Sequence, residues 1–424
     1  MTHFGGLHTR IALLLMLGVF FATPSIAADT DARVAELERI IKAQQAQLAA
    51  QAKVLEQLQK EVGSLAKSDG AKGFVTTGLA KSGNDKVGLK IYGQVNRGVL
   101  LVDDGHNAKA FSVDNDSSST RIGLVGNVEA TDNLTIGTKI EVQFESNSTG
   151  DVNQANNSST IASNSFTERH LDLFFAHKRM GTVWLGQGST ASDAMASTDL
   201  SRTTLVGYSS VSDIAGGISF ATSGTGAITG NPAVGDVFSD MTGLGRDDRV
   251  RYDTPDMSGF QLGTSLVDGG EWDLAGSYNR DFESLQMSVG GGYSNPSGTS
   301  TTTSSITHGS LSVMMKNGIN ATVAAGKSKM KSAARSDPGF QYLKLGYLAS
   351  WTKLGNTAFA VDYGQYDDVA QNNDEASSYA LMFVQNLDNW GTELYGVYRN
   401  HELKRTGSSL DDIDAVLMGA RVKF

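Results

Sequence analysis

The stretch Tyr342-Leu343-Lys344-Leu345-Gly346-Tyr347-Leu348-Ala349-Ser350-Trp351 puts Leu343, Leu345, Tyr347, Ala349 and Trp351 at every second position, with Lys344, Gly346 and Ser350 between them. A period of two fits a pleated strand with one apolar face. Residues 320–329 repeat the pattern, with Ala321, Val323 and Ala325 alternating with Asn320, Thr322 and Gly326. At the C-terminus Val416, Met418, Ala420 and Val422 alternate with residues that include Arg421 and Lys423, and the chain ends on Phe424. An apolar face, a polar face and a terminal aromatic suit the closing strand of a membrane barrel, with Phe424 at the membrane interface as an insertion signal.

Working outward from these runs gives sixteen candidate strands, near 89–101, 119–129, 133–145, 167–178, 181–188, 248–254, 258–268, 271–281, 283–293, 306–316, 319–329, 341–353, 356–366, 377–387, 391–400 and 412–424. The connectors mostly alternate in length. Ala130-Thr131-Asp132, Arg179-Met180, Asn317-Gly318 and Leu354-Gly355 are short. Segments 102–118, 146–166, 189–247, 294–305, 330–340, 367–376 and 401–411 are long and rich in Ser, Thr, Asn, Asp and Gly, and the tight connector Gly269-Gly270 is an exception. Short turns at one end, long loops at the other and an even strand number predict an all-β fold: a 16-stranded antiparallel transmembrane β-barrel over 87–424. The composition agrees. Among 424 residues there are 48 glycines, 5 prolines and no cysteine, which suits many strands and tight turns and excludes disulfides and thiolate metal sites. The formal net charge of −10 argues against a nucleic-acid partner.

The segment before the barrel reads differently. Arg10, the apolar run 11–21, Pro24 and Ser25-Ile26-Ala27 form a signal peptide over 1–27, too short in its apolar part for a spanning helix. Residues 28–67 carry heptads, with Val34, Ile41, Leu48, Leu55 and Val62 at a and Leu37, Gln44, Gln51, Leu58 and Leu65 at d. This predicts a periplasmic coiled coil, read as a parallel trimer whose two glutamine layers fix strand number. A lone amphipathic helix packed on the barrel is the alternative. Residues 68–86 read as a linker rich in Gly, Ser, Lys and Thr.

Several motifs resemble the Gram-negative trimeric porins: Ile91-Tyr92-Gly93-Gln94-Val95, Ser119-Thr120-Arg121-Ile122-Gly123-Leu124-Val125-Gly126, Gly181-Thr182-Val183-Trp184-Leu185-Gly186-Gln187, and Arg249-Val250-Arg251-Tyr252-Asp253-Thr254-Pro255 followed by Gly259-Phe260. With the heptads added, the chain is most similar to the DcaP-like group. The resemblance implies a homotrimer of water-filled barrels for passive diffusion of small hydrophilic solutes or ions, each narrowed by a third loop, here 189–247. It also implies acidic groups on that loop, Asp193, Asp199 and Asp213, beside Arg202, facing basic groups on the wall. Arg121 matches the wall-arginine motif, and alternation with Ile122 and Leu124 turns it to the lumen. Lys139, Glu141 and Gln143 alternate with Ile140, Val142 and Phe144 and face the lumen too. Arg169 resembles a second wall arginine, but Leu171, Leu173 and Phe175 would carry it outward unless a bulge intervenes. Gln94 stands where the family often has a basic group. Arg169, Arg249 and Arg251 read equally well as solvated rim charges.

No histidine cluster, nucleophile elbow or phosphate loop appears, so neither a catalytic residue, a metal nor a cofactor is expected. Asp114-Asn115-Asp116 lacks the spaced carboxylates of a calcium loop and reads as polar surface. The sequence leaves three functions in play: a diffusion channel, for which the net charge hints at cations; a channel specific for organic anions such as dicarboxylates; and a barrel tethering the outer membrane to peptidoglycan. Outer-membrane lipid and lipopolysaccharide are the expected surroundings.

Overall fold

The computed structural model describes Gly83 and residues 86–155 and 166–424. The expected signal segment, the heptad residues from Val34 to Leu65 and most of the linker lie outside the described residues. The rest is a single sheet of antiparallel strands: β1 (Gly88–Asp103), β2 (Ala108–Asp114), β3 (Arg121–Thr131), β4 (Leu134–Phe144), β5 (Phe166–His177), β6 (Gly181–Ser189), β7 (Arg246–Asp253), β8 (Phe260–Val267), β9 (Glu271–Asp281), β10 (Leu285–Asn295), β11 (Thr303–Met315), β12 (Ile319–Met330), β13 (Gly339–Thr352), β14 (Gly355–Asp367), β15 (Glu375–Leu387), β16 (Thr392–Lys404) and β17 (Ile413–Lys423).

The sheet closes on itself. β17 pairs with β1 from Gln94 opposite Lys423 to Asp103 opposite Asp414. β1 also pairs with β2 along its second half and with β3 along its first, so β2 and β3 form one stave interrupted at 115–120. Counted by position round the ring, the barrel has sixteen staves. A closed barrel satisfies every strand's backbone groups within the sheet, which is what lets a polypeptide lie in hydrocarbon without edges. One expectation fails here. Residues 102–118 are not one long loop, because β1 runs on to Asp103 and β2 takes up Ala108–Asp114. The connector shrinks to 104–107, tied by Asp104 Oδ1, which accepts from the amides of His106 (3.1 Å) and Asn107 (2.7 Å). At the tight connector between β8 and β9, Gly269 and Gly270 take φ values of 79° and 86°, a left-handed path that side chains disfavour.

Alternation sorts the faces. On β13 Leu343, Leu345 and Tyr347 are exposed outward while Tyr342 and Lys344 are buried inside. Aromatic residues gather at both ends of the outer wall. Tyr347, Trp351, Phe359 and Phe383 form a chain of ring contacts near the short turns, and Phe144–Phe166, Trp272–Tyr293 and Tyr379–Tyr398 lie toward the loops. Two aromatic belts around an apolar band mark the membrane interfaces. Phe424 joins the turn-side belt and helps seal the seam. Its amide and carbonyl pair with Gly93 (3.0 and 2.9 Å), and its ring lies where a Cβ on Gly93 would sit.

Candidate functional site: a loop-filled lumen and a cationic wall

The long connector between β6 and β7, residues 190–245, folds into the barrel. Its first part runs along small polar residues of the inner wall. Ser192 donates to Asp273 Oδ2 from its amide (2.8 Å) and hydroxyl (2.6 Å), and its carbonyl accepts from His308 Nε2 (2.9 Å). The amides of Thr198 and Leu200 donate to Ser310 Oγ (3.1 Å) and Ser312 Oγ (2.9 Å). Further on, Tyr366 donates to Ser209 O (2.6 Å) and His401 Nε2 to Ile214 O (3.0 Å). From the opposite side Asn115, in the break between β2 and β3, donates to Leu205 O (2.8 Å). The connector between β4 and β5 adds Thr149 Oγ1 to Asp213 O (2.5 Å) and Gln154 Nε2 to Ser219 O (2.6 Å).

The second part of the loop is apolar, and so is the wall beneath it. Val211, Ile214, Ile218, Phe220, Val237 and Phe238 are buried in one cluster with Leu100, Val102, Phe111, Val113, Ile413 and Leu417 of the inner wall. Phe238 meets Tyr366 edge-on at 5.0 Å and His401 at 5.0 Å. Burying a Val, Leu, Ile or Phe side chain stabilises by about 1.5–3 kcal/mol, so this core anchors the loop more firmly than its hydrogen bonds do.

The other side of the lumen is bare and positively charged. Arg121, opposite Gln94, stands on the inner face of β3, with Ile122 exposed outward. Glu141 on β4 accepts from Tyr92 Oη (2.6 Å) and Arg169 Nε (2.6 Å) and lies 4.0 Å from Arg121 Nε. Arg169 reaches Gln143 as well (2.8 Å). It does so through a bulge: Glu141 pairs with His170 and Val142 with Glu168, so Arg169 is skipped and turns inward while Leu171 and Leu173 keep their outward positions. Arg246, where the loop rejoins β7, and Arg421 on β17 lie within electrostatic reach of Arg121, and Lys139 feels Glu141, Asp172, Arg169 and Arg246. Arg421 is bound to Glu393 (2.6 Å), which also takes Lys423 (3.0 Å).

The expected residues therefore divide. Arg121, Lys139, Glu141 and Arg169 come together on one wall. Asp193 on the loop lies within electrostatic reach of Arg246. Asp199 and Asp213 do not line open lumen. Asp199 is buried against Lys344 (2.7 Å); burial pushes its carboxyl up, and the ammonium outweighs this, holding it below the ordinary range. Asp213 packs toward Asp116, and burial first and that neighbour second push it up to about 7. Asp240 follows, raised to about 6 by burial and then by Asp213. Asp116 is raised well above the usual range by burial and by Glu145. Arg202 is exposed and sits at φ 65°. Gln94 is buried, donating to the carbonyls of Ser118 (2.9 Å) and Ser119 (2.7 Å). Arg249 and Arg251 are not rim charges: Arg249 is buried on Asp172 (2.5 Å), and Arg251 binds Asp253 and the carbonyls of Ser189 and Thr190. Tyr92, Arg246, Arg421 and Lys344 belong to the site but are not among the residues the sequence singles out. Arg421 carried a signal, since alternation with Met418, Ala420 and Val422 turns it inward.

Comparison with known proteins agrees with this architecture. Among solved structures the chain is similar to an anion-selective porin from Comamonas acidovorans (17% identity, 80% of this chain and 100% of that one, TM-score 0.53), to OmpF of Salmonella typhi in complex with daunomycin (12%, 79% and 97%, 0.52) and to the outer-membrane channel DcaP of Acinetobacter baumannii (14%, 81% and 99%, 0.50). At such identities the likeness is one of fold. No curated protein matches the chain. A sequence profile of the Gram-negative porins matches residues 68–406, four fifths of the chain. With that match and the closed barrel together, the chain belongs to the Gram-negative porin family and is an outer-membrane channel for passive diffusion.

Proposed function

We propose that this channel prefers small organic anions, dicarboxylates among them. The observation that carries the preference is a local excess of positive charge: Arg121, Lys139, Arg169, Arg246, Arg421 and Lys423 gather with Glu141, Glu393 and Asp193 as counter-charges, while Asp172, also near Lys139, is already paired with Arg249. Exposed charges beyond about 8–10 Å are screened at ordinary salt, so this group outweighs the chain's net −10 for a solute in the gap. Arg121 makes only a 3.4 Å hydrogen bond to Ser118 Oγ and the 4.0 Å contact to Glu141, leaving most of its donors for a carboxylate. The burial of Asp199 and Asp213 removes the chief objection, an acidic loop edge. The anion-selective description of the Comamonas acidovorans porin points the same way. The test is uptake into proteoliposomes. Succinate should enter faster than 1,4-diaminobutane, a dication on the same four-carbon chain, and the diamine entering faster would overturn the preference.

The channel is further read as a homotrimer, with residues 28–67 as its periplasmic coiled coil and the outer wall against lipid and lipopolysaccharide. The heptads at Val34 to Val62 and Leu37 to Leu65 support the trimer, and the aromatic belts support the lipid contact. Deleting 29–67 should weaken trimers in detergent on sedimentation; undiminished trimers would remove the coiled coil from that role.

A further inference from the structure

Two buried cations stand side by side on the inner wall beneath the loop, and they do different things. Arg399 on β16 and Asp362 on β14 are both fully buried and paired twice, at 2.8 and 3.3 Å. Asp362 also accepts from Tyr342 Oη (2.9 Å). Lys344 on β13 lies directly opposite Asp362 in register. It does not pair there, because Asp362 is already occupied. Instead its ammonium points to the loop and places three hydrogen bonds on it: Asp199 Oδ2 (2.7 Å), Ser201 Oγ (3.2 Å) and Gly207 O (2.6 Å). An ammonium has three donors, and all three are spent on one turn of the loop.

That turn is further tied within itself. The Ser201 amide donates to Asp199 Oδ1 (2.6 Å), and the Ser201 and Thr203 hydroxyls are 2.8 Å apart. Between these two buried residues stands Arg202, exposed and in the left-handed region. A non-glycine residue holds such a conformation only where its surroundings over-determine it. The surroundings here are the bonds from Lys344. Leu205, three residues on, is held from the opposite wall by Asn115.

We propose that Lys344 and Asp199 form a latch that positions the constriction loop and presents Arg202 to the lumen as a cationic group opposite the arginine wall. Lys344 is a positioning residue, acting through Arg202, and Arg399 keeps it available by occupying Asp362. This rests on the reading of an anion-preferring pore, and one experiment separates the two.

Single channels of the full-length protein are recorded in a KCl gradient for wild type, Asp199→Asn, Arg202→Gln and the double variant. Removing a negative charge at 199 would by charge alone increase anion preference. The latch predicts the reverse. Asp199→Asn should lose anion preference as Arg202→Gln does, with raised conductance and noise, and the double variant should add little to either single one. Asp199→Asn that keeps or increases anion preference with quiet openings would overturn the latch. So would fully additive losses in the double variant. Ser201→Ala, which removes one of the three bonds from Lys344 together with the Ser201–Thr203 contacts and leaves both Lys344 and Asp199 in place, should show a smaller change in the same direction, and carries the test if Asp199→Asn misfolds. Wild type without anion preference would defeat the pore reading instead, and the latch would then stand or fall on conductance and noise.

Discussion

The two sides of the lumen obey the same alternation yet are built for opposite purposes. On β14–β17, β1 and β2 the inward positions include Ala360, Met382, Val397, Leu417, Leu100 and Phe111, and the loop covers them. On β3–β5 the inward positions include Arg121, Lys139, Glu141 and Arg169, and the loop leaves most of that wall open. The first side is a protein core that happens to lie inside a cylinder. The second is a wet surface. The difference teaches that an inward-facing position in a porin is not by itself a pore position. What decides is whether the loop lies over it, and the loop goes where apolar wall residues and small hydroxyls let it dock.

The contrast predicts where substitutions act on folding and where on transport. The largest effect is expected at Arg399→Met, which leaves Asp362 buried without its partner. A loss of about 3–5 kcal/mol is expected in urea unfolding of the refolded barrel. A loss under about 1 kcal/mol would mean that water reaches the pair and that the covered side is not a core. Phe238→Ala should come next. Its ring contacts Tyr366 and His401, and truncation should cost about 3 kcal/mol of loop docking. Protease sensitivity within 190–245 should rise while the barrel's own melting changes little; unchanged sensitivity would detach the loop's position from its apolar core.

The open side should behave in the opposite manner. Arg121→Gln should leave stability within about 0.5 kcal/mol. It should reduce anion preference by at most about fivefold, since a charge at 4 Å in water is worth about 1 kcal/mol. A large loss of stability there would erase the distinction between the two sides.

The smallest effect is one of pH. Asp213 and Asp240 titrate near 7 and 6, above the ordinary carboxylate range, because burial disfavours their charge. The docked loop thus binds protons that the free loop would release. Docking is strongest below the ordinary carboxylate pKa and weakens as pH rises through about 6 to 7. Channel noise should increase from pH 5 to pH 8, and Asp213→Asn should flatten the trend; noise that falls over that range would reverse the sign.

The barrel was legible because period-two alternation and turn spacing are local. Each of the sixteen expected strands has its counterpart, from Ile91 and Val95 outward on β1 to Met418 and Val422 on β17. The missing piece was β2, whose short run Ala108–Asp114 sits in polar sequence and is held as a strand by pairing along its length with β1 and by a bridge from Asp114 to Ser148. The site was legible wherever alternation reached it, as at Arg121, Lys139 and Glu141. At Arg169 alternation alone misleads, because a bulge is a property of two strands at once and shows in neither alone. Inside 190–245 no period exists. Asp199, Arg202 and Asp213 are alike as loop charges in the sequence, and only tertiary partners separate a paired one, an exposed one and one whose pKa burial pushes up to about 7. Lys344 reads as one more lumen-facing lysine, and its attachment to the loop depends on Arg399, 55 residues away in the chain, occupying Asp362.

The most direct test of the open, cationic wall as the path of permeation is the reversal potential of the wild-type channel in a salt gradient, repeated with Arg121 and Arg169 both changed to Gln. The expected result is anion selectivity that drops sharply in the double variant. A cation-selective wild type, or selectivity indifferent to both changes, would contradict it.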